Sequence, residues 1–407
     1  MSIRTLYLCY FGLREPLVQT QVLPYLRYLA AAGIKVHLLT FEARLRKEWS
    51  EEELTKQKAR LATEGISWHF LPYQKRPSIP ATAYDILAGA RFAVQLAKRE
   101  GLDVLHARAH VPMAMALLAR RFLRCQLVFD FRGLMADEYV DAGIWTDRSM
   151  AFRAVKMIER AGLRQANQVI VLTQRMRDWL VEHQVKNADQ IEVIPCCVDL
   201  TRFDVNGIET GASAGADCFE VVYAGSLMGL YLVEEMGRFF KAVKAQRPHA
   251  FLRILSVSPP EHGMAALKRA GLDQKDFKIE ASSPVDVPAV LRRASLGVSF
   301  RKPTFAQIAA SPTKIPEYLA AGLPVVSNHG IGDTDELLTS ERVGIIVRDF
   351  DNDSLARAAT AALTLADEPG IAARCREAAH KHFELASIGG ARYVKGYQRL
   401  ERQAAEF

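Results

Sequence analysis

A chain of 407 residues is longer than one ordinary domain, and two domains are expected. With 49% hydrophobic and 24% charged residues it has the balance of a globular protein, and no apolar run reaches the roughly 18 residues of a membrane span. The net charge of +7 fits an anionic substrate, an anionic membrane surface or nucleic acid without choosing among them, although the dense basic tracts with interleaved aromatics typical of nucleic-acid binders are missing.

The amino terminus, "MSIRTLYLCYFG", lacks a small-residue cleavage pattern and reads as a first strand rather than an export signal. "RTLYLCY" (4–10) leads into a helical pattern near 20–32, stopped by Gly33, and then "IKVHLLT" (34–40). Further short apolar runs follow at "LDVLHA" (102–107), "QLVFDF" (126–131), "QVIVLT" (168–172) and "IEVIP" (191–195), with helical stretches between most of them. Continuous apolar strands alternating with helices predict a parallel sheet covered on both faces. Residues 203–217, "FDVNGIETGASAGAD", lose the apolar period and read as a linker. Alternation resumes with "FEVVYAG" (219–225), "AFLRILSV" (250–257), "LGVSF" (296–300), "PVVSN" (324–328) and "VGIIV" (343–347), which predicts a second open α/β unit. The expected organisation is a first domain over 1–200, a linker over 201–217, a second domain over 218–385, and a terminal helix over 386–407 that could pack on either domain. Six cysteines, two of them adjacent (Cys196 and Cys197) and none in CxxC spacing, are expected to be free thiols in a reducing cytoplasm.

One stretch, "SPTKIPEYLAAGLPVVSN" (311–328), carries chemistry. Ser311 has the character of an N-cap and Pro312 of a first helical residue, so a helix is predicted over about 312–321, ending at Gly322. It follows one predicted strand and precedes another, which places its amino end at the carboxyl ends of a parallel sheet. Lys314 lies in the first turn and Glu317 one turn on, on the same face. An anion at the helix start, helped by the ammonium, and a diol on the carboxylate would suit a nucleoside diphosphate. An exposed Lys–Glu pair has the same spacing; the cap and the flanking strands weigh against it. "GDTDE" (332–336) invites a metal through Asp333 and Asp335, but it reads better as the start of the next helix.

The 311–328 stretch resembles the donor-binding signature of retaining glycosyltransferases of the GT-B fold, family 4. "VIPCCVDLTRF" (193–203), "VVYAGSLMGLYLVEEM" (221–236) and "DVLHARAHVPMAMALL" (103–118) are similar to three other stretches of that family. The resemblance implies an α/β GT-B fold, two Rossmann-like parallel-sheet domains facing across a cleft. It also implies transfer of a sugar, with retention, from a UDP- or GDP-sugar to a saccharide or lipid-linked acceptor in bacterial cell-surface polysaccharide, lipopolysaccharide or glycolipid synthesis. Neither a metal nor another cofactor is expected.

Carried over position by position, the resemblance gives Glu317 the ribose. It sets Ser311, Thr313, Lys314, Gly225 and Ser226 around the donor nucleotide; Lys314 and Arg301, just past the strand "LGVSF", are the local cations that could replace the family's usual pair on the leaving diphosphate. His106, Arg108 and His110 are candidates for the first-domain group facing the sugar, the choice among them open. Gly12 and Gln19 of the first loop, with Arg132, Asp137 and Glu138, are candidate donor or acceptor contacts. The chain departs from the family at Ala309, where a second acidic residue is usual, and in lacking the usual Arg and Lys near 225. Backbone amides of "QIAAS" (307–311) are one replacement for the missing acid. A sugar-nucleotide 2-epimerase, a hydrolase, or a non-catalytic nucleotide-sugar-binding protein would share these features. Arg120, Arg121 and Arg124, closing "MAMALLARRFLR" (113–124), admit peripheral attachment to an anionic membrane at its cytoplasmic face; a buried helix with a solvated basic end is the alternative.

Overall fold

The structure is a computed structural model that describes residues 3–203, apart from 75 and 77, and residues 219–405. It divides into two compact units, the first made of Met1–Asp137, Trp145–Pro195 and Leu385–Phe407, the second of Glu138–Ile144 and Cys196–Glu384. Beyond Phe203 the expected linker lies outside the described residues.

Seven strands build the sheet of the first unit: β1 (Arg4–Cys9), β2 (Lys35–Glu42), β3 (Ile66–Pro72), β4 (Val104–Arg108), β5 (Gln126–Asp130), β6 (Gln168–Val171) and β7 (Ile191–Val193). Their order is β3-β2-β1-β4-β5-β6-β7, all parallel. Leu6, Leu8, Leu38, Leu105, Leu127 and Val169 lie at its centre with no exposed surface. Such burial on both faces is why the central strands appear as unbroken apolar runs.

The second unit repeats the plan with six strands, β8 (Glu220–Ala224), β9 (Phe251–Leu255), β10 (Phe277–Glu280), β11 (Leu296–Ser299), β12 (Val325–Asn328) and β13 (Gly344–Val347). Their order is β10-β9-β8-β11-β12-β13, again all parallel. One face packs Tyr223, Phe239, Phe240, Val298 and Phe300; the other packs Ile315, Tyr318, Leu319, Leu338 and Cys375. In each sheet the strand order reverses once, between β1 and β4 and between β8 and β11. Loops leaving the carboxyl ends of those two neighbours diverge and leave a crevice, the usual ligand position of an open α/β sheet.

The terminal helix Ala391–Ala405 belongs to the first unit. Two of its tyrosines reach into the sheet: Tyr393 donates to Asp130 at 2.9 Å, and the Tyr397 hydroxyl lies 2.8 Å from Thr5 Oγ1. Gly390, just before it, lets the chain pass the Tyr28 ring, where a Cβ would come within 2.4 Å.

Candidate active site

In the second unit the candidate residues converge on the loops that leave β8 and β11. The helix expected over 312–321 runs Lys314–Ala320, entered by a tight turn in which the Ile315 N–H bonds Pro312 O at 3.2 Å. Ser311 does not cap it: its Oγ accepts the Cys196 N–H at 3.1 Å and so fixes the segment that enters this unit. Thr313 occupies the cap position without a side-chain cap bond. With seven residues the helix has a small macrodipole, so positive charge here is carried by side chains.

Tyr318 holds the helix to the sheet. Its hydroxyl accepts the Ala224 N–H at 2.8 Å and donates to Val298 O at 3.4 Å, and its ring fills the space that Gly297 leaves open in β11. That anchorage directs Lys314 toward the end of β8. A Cβ on Gly225 would lie 3.0 Å from Lys314 Nζ, so a glycine is needed for the ammonium to fit. Lys314 is 3% exposed, and its Nζ lies 4.4 Å from the Tyr231 ring centre and 5.3 Å from that of Tyr223. Burial pushes its pKa below the usual lysine value, opposed by the Tyr231 hydroxyl; Arg301 adds to the depression. Tyr231 shows the converse, its phenol drawn below the usual value chiefly by the Lys314 charge against the effect of burial.

Arg301 flanks the same ring, its guanidinium 5.1 Å from the Tyr231 centre, and its backbone N–H donates to Asn328 Oδ1 at 2.7 Å. Its Nε is buried and has no partner among the described residues, while Nη2 stands 4.0 Å from Glu138. Two cations thus bracket one aromatic ring. Around them, Ser226 O accepts the Tyr223 hydroxyl at 2.6 Å, and Ser226 Oγ accepts the Met228 N–H at 3.3 Å, fixing the turn after β8.

Glu317 is half-buried one turn after Lys314, with Oε1 3.7 Å from Arg202 Nη1. Burial raises its carboxyl pKa above the usual value, against the pull of Arg202 and Lys314. Ala309 is buried, and two residues before it the Gln307 carboxamide has no exposed surface and, among the described residues, no partner for either polar atom. The pair expected to tempt a metal is otherwise engaged at one member: Asp335 accepts the Gly330 N–H at 3.1 Å and lies 2.5 Å from His329 Nδ1. Asp333 precedes the helix Thr334–Ser340 at its cap position, without a side-chain cap bond.

In the first unit the three candidates for the sugar-facing group, His106, Arg108 and His110, are all buried. His106 has no exposed surface; its Nδ1 lies 2.9 Å from the Tyr397 hydroxyl, and its ring packs against Tyr7 and Tyr393. Burial drives its pKa down to about 4, so it is a neutral core residue. Arg108 is buried too, its Nη1 3.1 Å from Asp130, which also accepts from Tyr7, Tyr393 and Arg132. A central carboxylate surrounded by two guanidiniums and two phenols binds this end of the sheet together and leaves His106 and Arg108 sealed. His110 opens the helix His110–Arg120 and meets Glu159 at 3.2 Å; Lys156 bridges Glu159 and Asp137. Gly12 admits the Glu42 carboxylate, which accepts the Leu13 N–H at 2.8 Å, and Gln19 donates to Leu13 O. Gln19 therefore holds its own loop, Asp137 pairs with Lys156 of the helix Met150–Gln165, and Arg132 stays half-buried.

Three side chains beside these candidates were not singled out in the sequence: Tyr231, Arg202 and Gln307, of which only the backbone loop of Gln307 was considered. Tyr231 lies in a loop with no apolar period, and Arg202 nearly reaches Glu317 from more than a hundred residues away. The Gln307 side chain becomes noticeable only through its lack of a partner among the described residues.

Residues 18–202 match the family model described as Glycosyltransferase Family 4, and residues 219–364 match that of Glycosyl transferases group 1. No curated protein sequence matches the chain. Among solved structures, a sucrose-phosphate synthase from Thermosynechococcus elongatus is similar at 18% identity with a TM-score of 0.71, covering 99% of each chain. Anabaena HepE, solved with UDP and glucose, is similar at 16% identity with a TM-score of 0.66, covering 97% of this chain and 99% of its own. A UDP-N-acetylglucosamine 2-epimerase from Listeria monocytogenes, described as putative, shares the fold at 12% identity with a TM-score of 0.62, covering 100% of this chain and 98% of its own.

Proposed function

We infer that this chain, which belongs to the glycosyltransferases of family 4 and group 1, moves a sugar from a UDP- or GDP-sugar to a saccharide or lipid-linked acceptor of cell-surface glycan synthesis, with retention and without a metal. The observation that carries this reading is the Lys314 ammonium, buried beside two aromatic rings at the point where the second sheet's strand order reverses. Among the described residues the Lys314 ammonium forms no ion pair; a buried charge so placed is costly, and an anionic ligand would offset that cost.

In this reading Lys314 and Arg301 bind the diphosphate, and their charge stabilises it more as it departs, which is where an electrostatic contact accelerates transfer. Glu317 accepts hydrogen bonds from the ribose diol, with Arg202 keeping it ionised. Ser226, Thr313 and Ser311 line the approach. Gln307, two residues before Ala309, offers an uncharged polar group and takes the sugar hydroxyls that an acid would otherwise hold. The bond from the anomeric carbon to the leaving oxygen breaks while the acceptor oxygen bonds to the same face. The acceptor's proton passes to the departing phosphate oxygen, so an enzyme nucleophile is not required. A lipid-linked acceptor would bring the protein to the cytoplasmic face of a membrane.

Ala309 favours a second reading, in which the missing acid leaves a 2-epimerase, a hydrolase or a nucleotide-sugar-binding protein on the same fold. A thermal-shift panel of UDP-, GDP- and ADP-sugars with chelator present tests the first. A raised melting temperature with one nucleotide class supports it, and no shift with any of them overturns it. Sugar release or epimer formation without acceptor would support the second.

A further inference from the structure

We propose that Tyr231 is a further catalytic residue: its hydroxyl donates a hydrogen bond to the diphosphate oxygen that leaves the sugar. The inference rests on the proposed transfer and adds a neutral donor to its two cations. Three phenols gather near Lys314 in the second unit, and two of them are already committed. Tyr223 has no exposed surface and donates to Ser226 O at 2.6 Å. Tyr318 is equally buried; its hydroxyl accepts the Ala224 N–H at 2.8 Å and donates to Val298 O at 3.4 Å. Tyr231 differs on both counts. It is half-buried, its ring centre 6.1 Å from that of Tyr223, and among the described residues its hydroxyl hydrogen has no acceptor.

The backbone holds this ring in place. The loops leaving β8 and β11 join in a short antiparallel bridge. Lys302 N–H donates to Leu230 O at 2.9 Å, Leu232 N–H donates to Phe300 O at 3.1 Å, and Tyr231 pairs with Arg301 between them. Tyr231 is thereby kept beside both cations, with Lys314 Nζ 4.4 Å and the Arg301 guanidinium 5.1 Å from its ring centre. An ammonium has only hydrogens to offer, so in bonding the phenol Lys314 takes an oxygen lone pair and leaves the O–H free. A hydroxyl that accepts from a cation becomes a stronger donor in its turn. In keeping with this, the Lys314 charge draws the Tyr231 phenol below its usual pKa against burial, with Arg301 adding to the pull and Glu138 opposing it. Burial instead pushes Tyr223 and Tyr318 up. A diphosphate drawn to Lys314 and Arg301 would bring its oxygens to this unclaimed hydrogen.

Such a contact strengthens as the sugar departs. In the bound nucleotide sugar the bridging oxygen carries little charge. When its bond to the anomeric carbon breaks, the electron pair stays on that oxygen, and a donor already aimed there stabilises it. The phenol keeps its own proton throughout, and the oxygen still takes the acceptor's proton on another lone pair.

Calorimetry of the full chain with UDP and UDP-glucose, GDP and GDP-mannose, and ADP and ADP-glucose tests this, because only the free diphosphate presents the charged leaving oxygen. Tyr231→Phe keeps the ring beside both cations and removes the O–H. For the pair that the wild type binds, the variant should hold the diphosphate about 10- to 100-fold more weakly and the nucleotide sugar within about threefold of wild type. Melting without ligand should be unaltered. Equal losses for the diphosphate and its sugar conjugate would make Tyr231 a support for Lys314, and unchanged binding of both would leave it a packing residue; either result overturns the proposal. A wild type that binds none of these ligands overturns the proposed transfer as well, whereas a wild type that binds one pair beside a Tyr231→Phe protein that does not discriminate removes Tyr231 alone.

Discussion

Replacing Lys314 by methionine separates binding from stability, because the two should move in opposite directions. The ammonium is buried, lies on the Tyr231 and Tyr223 rings, and has a depressed pKa, so the folded protein bears an unfavourable charge when the ligand is absent. An apolar side chain of similar length removes that buried charge, so the change should be neutral to stabilising. The lost contact with Tyr231 offsets part of this, so the apo melting temperature should hold or rise by a few degrees. Binding should fall. A charge-assisted hydrogen bond to a diphosphate contributes about 1.5–3 kcal/mol, which is roughly a 10- to 150-fold loss in affinity. Calorimetry with the nucleotide sugar identified by the thermal-shift panel, alongside thermal melts without ligand, checks both. Wild-type affinity in a folded Lys314→Met protein, or a lower melting temperature with binding untouched, would refute the reasoning and make Lys314 a structural residue.

Glu317→Ala should weaken nucleotide-sugar binding by about 1.5–3 kcal/mol, the value of hydrogen bonds to an ionised group, while a ligand lacking the ribose hydroxyls should lose no affinity; calorimetry with both ligands decides. Affinity should pass through a maximum with pH. Glu317 has a carboxyl pKa above 4.5, so affinity falls as pH drops through that raised value; Lys314 has a pKa below 10.5, so affinity falls again as pH rises toward 10.5. On the alkaline limb binding should take up a proton, seen as a dependence of the measured heat on buffer ionisation enthalpy. His106 makes a prediction about stability alone. Its pKa is about 4 when folded against 6.5 unfolded, so the unfolded chain binds the extra proton between those values and stability falls as pH drops from 6.5 to 4. The full cost is about 3 kcal/mol, and urea melts at both ends of that range should show a smaller slope in His106→Gln. An unchanged slope in the folded variant would count against the neutral buried imidazole.

The central strands were legible in the sequence because burial on both faces makes them apolar throughout. The two missed strands, β3 "ISWHFLP" and β10 "FKIE", lie at the sheet edges. Both are partly exposed, mix polar with apolar residues, and so lose the signal that exposed the others. The Lys314–Glu317 helix was readable from its flanking strands and its Gly322 stop. Its exact start was not: Ser311 has the right chemistry for a cap, but a backbone N–H more than a hundred residues away claimed its hydroxyl. Local rules cannot see such a competitor. His106 misled for the same reason. A histidine in a strand beside charged residues looks available until a helix from the far end of the chain brings Tyr393 and Tyr397 against it. Tyr231 and Arg301, by contrast, are brought to Lys314 by the crossing of loops from adjacent strands, which no sequence period records.

A crystal soaked with a nucleoside diphosphate and chelator tests the central claim most directly. The account predicts diphosphate oxygens within hydrogen-bond distance of Lys314 Nζ and the Arg301 guanidinium, with the ribose hydroxyls on Glu317. A nucleotide lodged away from Lys314, or one that enters only when a divalent ion is supplied, would contradict it.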